Sequence, residues 1–225
     1  MTLEGTNTYV VGRDPAWVVD PGPDDPGHLE AVREEAERRG GIGGVVLTHS
    51  HADHAAGAPA LGVGPPSVAD GDRIGPFEIV ATPGHAPDHV CLLLGRACFT
   101  GDLILGEGSS YVPPDGGSLA AYMASLERLQ ELDLELLLPG HGPLVDDPEA
   151  KISEYIEHRL DRERKLVGAL ERGERSRARL LDEAWDDVPS ELRGAAAQVM
   201  QAHLEKLAAE GRLPEDVSVP ADLAD

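Results

Sequence analysis

The sequence predicts a layered α/β domain with a helical appendage at its C-terminal end. Residues 1–147 alternate short apolar runs with turns rich in Gly and Pro. Histidines and aspartates recur just after those runs, at one kind of structural address. Residues 148–210 instead carry apolar residues at near-helical spacing.

The elements follow in order. TYVV (8–11) and AWVVD (16–20) read as strands, with GRDP as the hairpin turn between them. A helix over 26–39 begins at Pro26 and stops at Gly40-Gly41. GVVLT (44–48) is a continuous apolar run, which suits a buried strand. FEIVA (77–81), VCLLL (90–94), ACFT (97–100) and LELLL (134–138) are further strands, with a helix over 118–131 between the last two. A long helix over 148–173 presents Ile152, Tyr155, Ile156, Leu160, Leu166, Val167 and Leu170. Helices over 177–186 and 190–210 follow, with Trp185 anchoring them and Gly211 closing the last. The boundary falls at Asp146-Asp147-Pro148, giving a domain over 1–147 and an appendage over 148–225.

The length of 225 residues suits one large domain or a domain with a small appendage. No apolar run approaches the roughly 20 residues of a membrane span. MTLEGTNTYVVG has no feature of a signal peptide, so cytoplasmic residence is expected. Cys91 and Cys98 lie inside strand-like runs and read as buried thiols. The formal net charge is −22, and residues 1–150 hold 7 Arg and no Lys against 24 acidic residues. Such a body repels polyanions at long range, which weighs against nucleic-acid binding. Residues 159–179 run the other way, with eight basic and four acidic groups. A solvated helix face laced with pairs such as Asp161 and Lys165 accounts for them.

The chemistry is concentrated in LTHSHADHAAG (47–57), where His49, His51, Asp53 and His54 crowd behind a strand. Alternation in an extended segment points His49 and His51 the same way. A helix starting near Asp53 turns Asp53 and His54 toward a second point. Imidazole and carboxylate together suit divalent cations. Three later residues share the address: His85 in TPGHAPDH, Asp102 in FTGDL and His141 in LPGHGP, each beside glycine. One such residue is usually structural; this many at strand ends argue for a shared site. His28, His158 and His203 lack the context and read as surface or packing residues. His89 is either a donor to a ligand or a simple strand-start residue.

HSHADH, PGH, TGD and PGHG together resemble the metallo-β-lactamase superfamily, an αββα sandwich with a dinuclear site. The resemblance implies that His49, His51 and His85 bind one ion, that Asp53, His54 and His141 bind the other, and that Asp102 bridges. Asp20, in VVDPG, would brace the metal loop. MTLEGTNTYVVG, PGHAPDHVCLLL, FTGDLILGEGSS and PGHGPLVDDPEAKISEYIEHR are similar to the beta-lactamase-like protein 2 family, and imply a winged-helix-like C-terminal domain. That family usually has a strand before the TLxGTNTY segment. Met1 opens the chain there, so an unpaired sheet edge is expected. Ser109-Ser110 replace a threonine pair of the family. Asp102 disfavours antibiotic cleavage, and the 38 residues between Asp102 and His141 leave no room for the inserted domain of RNA-processing nucleases.

The implied chemistry is two-metal hydrolysis by a shared, activated water, with Asp53 orienting that water and moving protons. Zinc is the expected metal, with iron or manganese as alternatives. Asn7, Thr8, Ser109 and Ser110 are the expected substrate contacts, on the segments that line the mouth. The family includes an endoribonuclease on single-stranded RNA, which gives the first expectation for the substrate. The second is an ester or thioester, as for hydroxyacylglutathione hydrolases or acyl-carrier-protein thioesterases. A non-catalytic metal-binding or DNA-binding protein is the third. No obligate protein partner is evident.

Overall fold

The computed structural model describes residues 5–217. Two sheets form its centre. Strands β1 (Tyr9–Val11), β2 (Ala16–Val19) and β3 (Ile42–Val46) make the first, in that order. β1 and β2 are antiparallel, and helix α1 (Pro26–Arg38) carries the chain across to β3, parallel to β2. Strands β4 (Arg73–Ile74), β5 (Phe77–Ala81), β6 (Val90–Leu94), β7 (Ala97–Gly101) and β8 (Leu136–Pro139) make the second, also in sequence order. All pairs are antiparallel except β7 with β8, which helix α3 (Leu119–Gln130) joins as a parallel crossover. A short α2 (Ala52–Ala55) lies between β3 and β4.

Both faces of each sheet are buried, which is why these strands read as continuous apolar runs. Val19, Val46, Ile79, Leu92 and Phe99 turn inward and fill the space between the sheets. Their neighbours Val18 and Val45 turn outward onto Leu29 and Val32 of α1. Val80, Cys91, Cys98 and Leu137 turn outward onto Tyr122 and Leu126 of α3. The result is four layers, helix on sheet on sheet on helix. Cys91 and Cys98 are free and buried, as their strand positions require. Caps set the helix starts: the side chains of Asp25, Ser118 and Asp147 accept backbone N–H bonds, and Pro26 and Pro148 open their helices.

Helix α4 (Pro148–Glu171) serves two cores. Ile152 and Tyr155 pack with α3, while Leu166, Ala169 and Leu170 pack with α5 (Arg177–Ala184) and α6 (Arg193–Ala209). Trp185 is buried in that second core. His203 is buried against it, the two rings meeting edge to face at 5.6 Å. Among the described residues no strand follows β8. No described helix is long and apolar enough to cross a membrane.

Several expectations need correction. The strand expected over 44–48 ends at Val46, because the Thr48 N–H turns to the Asp20 carboxylate at 2.7 Å. Asp20 itself leaves β2 at φ 47°. The helix expected from 190 opens with a 3₁₀ turn, Ser190–Leu192. The solvated face expected over 159–179 fails at Arg159 and Arg162, which are buried. Arg162 pairs with Asp187 at 2.7 Å and stacks over Trp185. Elsewhere the face is laced with pairs: Lys165 with Asp161 and Asp186, Arg172 with Glu183, Arg175 with Asp216, and Arg179 with Glu174.

Candidate metal centre

Four strand ends deliver the seven expected ligands to one place. The turn after β3 carries His49 and His51, and α2 carries Asp53 and His54. His85 follows β5, Asp102 follows β7 and His141 follows β8. The donor atoms of His49, His51 and His85 lie within 4.8 Å of one another, as do those of Asp53, His54 and His141. His49, His54 and Asp102 form a third such group, which ties the other two together. Asp102 turns its Oδ1 toward His54 Nε2 and His141 Nε2, each at 3.3 Å, and its Oδ2 toward His85 Nε2 at 3.6 Å. One carboxylate therefore addresses both groups.

The outer nitrogens of four rings are tied down, which fixes what the inner nitrogens can do. His85 Nδ1–H donates to the Tyr111 carbonyl at 2.6 Å, and His141 Nδ1–H to the Gly5 carbonyl at 2.8 Å. His54 Nδ1–H donates to Asp20 at 2.9 Å. The Thr48 hydroxyl donates to Asp20 at 2.7 Å, so it can only accept from His49 Nδ1–H at 3.0 Å. Each of these rings aims an Nε2 lone pair inward. His51 Nδ1 sits 3.0 Å from both His49 Nε2 and His85 Nε2, and can share one proton with only one of them.

Glycine makes the convergence possible. A Cβ on Gly140 would lie 2.6 Å from His54 Cε1 and 2.9 Å from Asp102 Oδ1. Asp102 follows Gly101, which has a φ of 46° and where a Cβ would lie 2.5 Å from Thr48 Oγ1.

The fit to cations rests on buried atoms without a partner. His54 Nε2, His141 Nε2 and Asp102 Oδ1 are buried and make no hydrogen bond, which is costly in a folded protein. A divalent cation held between nitrogen and oxygen donors would satisfy all three. The electrostatics of the donor set agree with this. Burial opposes charge on His54, but the neighbouring Asp102 and Asp20 carboxylates outweigh it and raise its pKa to about 10. Burial also opposes charge on Asp102, and His141 and His54 outweigh it, holding the carboxyl far below its usual range. His49 is driven the other way by burial and by the neighbouring imidazoles of His89 and His54. A proton and a metal ion compete for the same lone pairs here.

The centre opens into a cavity of about 260 Å³ lined by His51, Asp53, His85, Asp102, Leu105, Ser109, Ser110 and Tyr111. Of the expected substrate contacts, Ser109 and Ser110 lie on it. Asn7 and Thr8 are not among its lining residues. Asn7 Nδ2 donates to the Pro139 and Gly142 carbonyls at 3.0 and 2.8 Å, and Thr8 Oγ1 to the Asp20 carbonyl at 2.6 Å. Both brace the loops that carry Asp20 and His141. His89 is buried behind the centre, with its ring 5.2 Å from that of His49 and its Nδ1 on Thr82 Oγ1 at 2.9 Å. Thr48 escaped the sequence reading. Its position between a strand end and His49 was the available signal.

A four-layer αββα fold with a His/Asp cluster at one sheet edge defines a class, and the comparisons agree with it. The model of the metallo-beta-lactamase superfamily matches residues 1–62 and 65–141, and that of the beta-lactamase associated winged helix domain matches 179–218. The chain belongs to the metallo-beta-lactamase superfamily. It is 38% identical over 204 residues to the lactamase-like protein adaB of Aspergillus niger, covering 80% of this chain and 62% of that one. It thus spans less than two thirds of that relative's length. It is 33% identical to the beta-lactamase-like protein 2 homolog of Caenorhabditis elegans, covering 93% of this chain and 81% of that one. Identity to the atrochrysone carboxyl ACP thioesterase of Aspergillus fumigatus is 31%, covering 97% and 72%. Among solved structures, the metallo-beta-lactamase family protein TTHA1429 of Thermus thermophilus shares the fold at TM-score 0.74 and 20% identity, covering 92% and 89%. TTHA1623 in a di-iron-bound form matches at TM-score 0.55 and 28% identity, covering 65% and 93%.

Proposed function

We propose that this chain is a dinuclear metal-dependent hydrolase acting on a small acyl thioester or ester. The observation that carries the hydrolase reading is the set of partnerless buried donors around Asp102, open on one side to a cavity. In this reading His49, His51 and His85 hold one cation and Asp53, His54 and His141 the other, with Asp102 between them. Bound there, two divalent cations would supply Lewis acidity and lower the pKa of a shared water from about 15.7 toward about 7. Zinc suits the imidazole-rich set. The likeness to a di-iron protein keeps iron beside it, and manganese fits the carboxylates.

The remaining work falls to the chain. The Asp53 side chain is 29% exposed and faces the cavity, so it can accept a proton from the attacking water. The water oxygen adds to the carbonyl carbon, the C–S bond breaks, and the proton held by Asp53 passes to the leaving thiolate. Leu105 and Tyr111 offer an apolar wall for the acyl group, and Ser109 a hydroxyl for its polar end.

The substrate class follows from size and charge. About 260 Å³ suits a small acyl group. The basic segment 159–179 offers RNA little: Arg159 and Arg162 are buried, Arg177 is bound to Gln201, and the other cations pair with carboxylates. A body of net charge −22 offers a phosphate backbone little attraction. The thioesterase among the relatives supports the same choice.

The test is a paired assay of metal-loaded protein on an acyl-N-acetylcysteamine thioester and on a fluorogenic single-stranded RNA. Thioester turnover that disappears in His51→Ala and Asp102→Ala is the expected result. RNA cleavage lost in the same variants, without thioester turnover, would overturn the substrate and leave the hydrolase. Activity on neither would count against both.

A further inference from the structure

The cavity wall is tied to helix α4 by two residues one turn apart. Tyr155 accepts the Leu105 N–H at 2.9 Å and donates to the Gly108 carbonyl at 3.0 Å. Arg159, four residues on and so on the same face, donates from Nη2 to the Ser110 carbonyl and stacks over the Tyr122 ring at 5.2 Å. Ser110 Oγ donates to the Asp102 carbonyl, and the next carbonyl, of Tyr111, fixes His85. The peptide that Arg159 grips therefore lies between the braces of two metal ligands. Arg159 is 3% exposed, and no carboxylate of the described residues pairs with it. Burying an unpaired guanidinium is costly, and a neutral side chain would hold α4 to the sheet at less expense. What the charge adds is a stronger, directional hydrogen bond to one carbonyl.

We propose that Arg159 is a positioning residue of the metal centre: it fixes the Ser110–Tyr111 segment and, through it, Asp102 and His85. The inference rests on the seven-ligand centre and is independent of the substrate. It makes the helical appendage part of the centre, because α4 also carries the core of α5 and α6. The effect is selective. His85 belongs to the His49–His51 group, so that cation loosens first, while the Asp53–His54–His141 group keeps its own braces on Asp20 and Gly5.

Cobalt titration of the full chain tests it, read by absorption and by equilibrium dialysis. Arg162→Met is the control: Arg162 is equally buried on the same helix, but its partners are the Ala184 carbonyl and Asp187, away from the centre. Arg159→Met should weaken one of two cobalt ions about 10- to 100-fold and change its visible spectrum, whereas Arg162→Met should leave both ions in place. Arg159→Lys, which keeps a charged donor, should restore part of the lost affinity. If Arg159→Met does not fold, Ser110→Ala decides the matter, since it removes the donor to the Asp102 carbonyl and should loosen cobalt at both groups that Asp102 addresses. Unchanged cobalt binding in a folded Arg159→Met or in Ser110→Ala would overturn the assignment, as would equal losses in the two arginine variants. Wild-type protein that takes up no cobalt would sink the metal centre and this inference with it.

Discussion

The Asp20 carboxylate accepts the His54 Nδ1–H at 2.9 Å from a backbone held at φ 47°. The same carboxylate takes the N–H and O–H of Thr48, each at 2.7 Å, and Thr48 orients His49. One buried residue thus sets the tautomer of a ligand in each group. A non-glycine residue in this conformation costs about 1–3 kcal/mol, which the three bonds offset. Asp20→Ala should lower affinity for both cations about 10- to 100-fold, measured by competition with a chromophoric chelator. Asp20→Asn, whose side chain tolerates the backbone, should lose less. Full affinity in Asp20→Ala would remove this role.

Gly140→Ala probes how tightly the centre is packed. The new Cβ would meet His54 and Asp102 well inside contact distance, and neither is free to withdraw. Overpacking of this kind costs about 1–3 kcal/mol, and here it falls on two ligands. Activity should drop at least about tenfold, with metal content falling alongside. A variant that keeps both ions and full turnover would show that the loop yields.

Metal removal should be felt in the fold as well as in activity. Without cations the inward lone pairs and the Asp102 carboxylate are left to protons and to one another. Cations present at about 100 times their Kd should stabilise the protein by about 2.7 kcal/mol per site over the chelated form. Differential scanning calorimetry, before and after chelation and again after zinc, iron or manganese is returned, measures this. A melting temperature indifferent to all three metals would contradict it.

The layers and the ligand addresses were legible because both are periodic or positional. Val18 and Val19, or Cys91 and Leu92, alternate between two cores, and each His or Asp ligand follows such a run. Side-chain hydrogen bonds to distant backbone leave no period. Asn7 on the Pro139 carbonyl spans 132 residues, and no local pattern in GTNTY separates that brace from a substrate contact. Arg159 and Arg162 were hidden for a similar reason. In a segment with eight basic residues, charge alone does not tell which guanidiniums stack on Tyr122 and Trp185.

The last prediction concerns pH and lies away from the metal. His203 on α6 is 1% exposed, and neither ring nitrogen has a hydrogen-bond partner. Trp185 covers one side of it, and the charged or titratable groups around it are Arg159, Arg162 and His158 on α4 and Lys206 on α6. Burial first, and then these cations, hold its pKa well below 6.5. The unfolded chain takes up a proton near pH 6.5 and the folded one does not, so unfolding binds protons below that pH. The contribution of His203 is therefore complete above about pH 6.5 and is lost as pH falls, by up to about 1.4 kcal/mol per unit. His89, pushed down to about 3 by burial, adds a slope of the same sign. His203→Leu should remove one proton's worth of the slope between pH 6.5 and 5, leaving the contributions of the other histidines. Urea unfolding of the metal-free protein in a Trp17→Phe background, followed by Trp185 fluorescence, measures it. Equal slopes in the parent and the variant would mean that His203 titrates alike in both states.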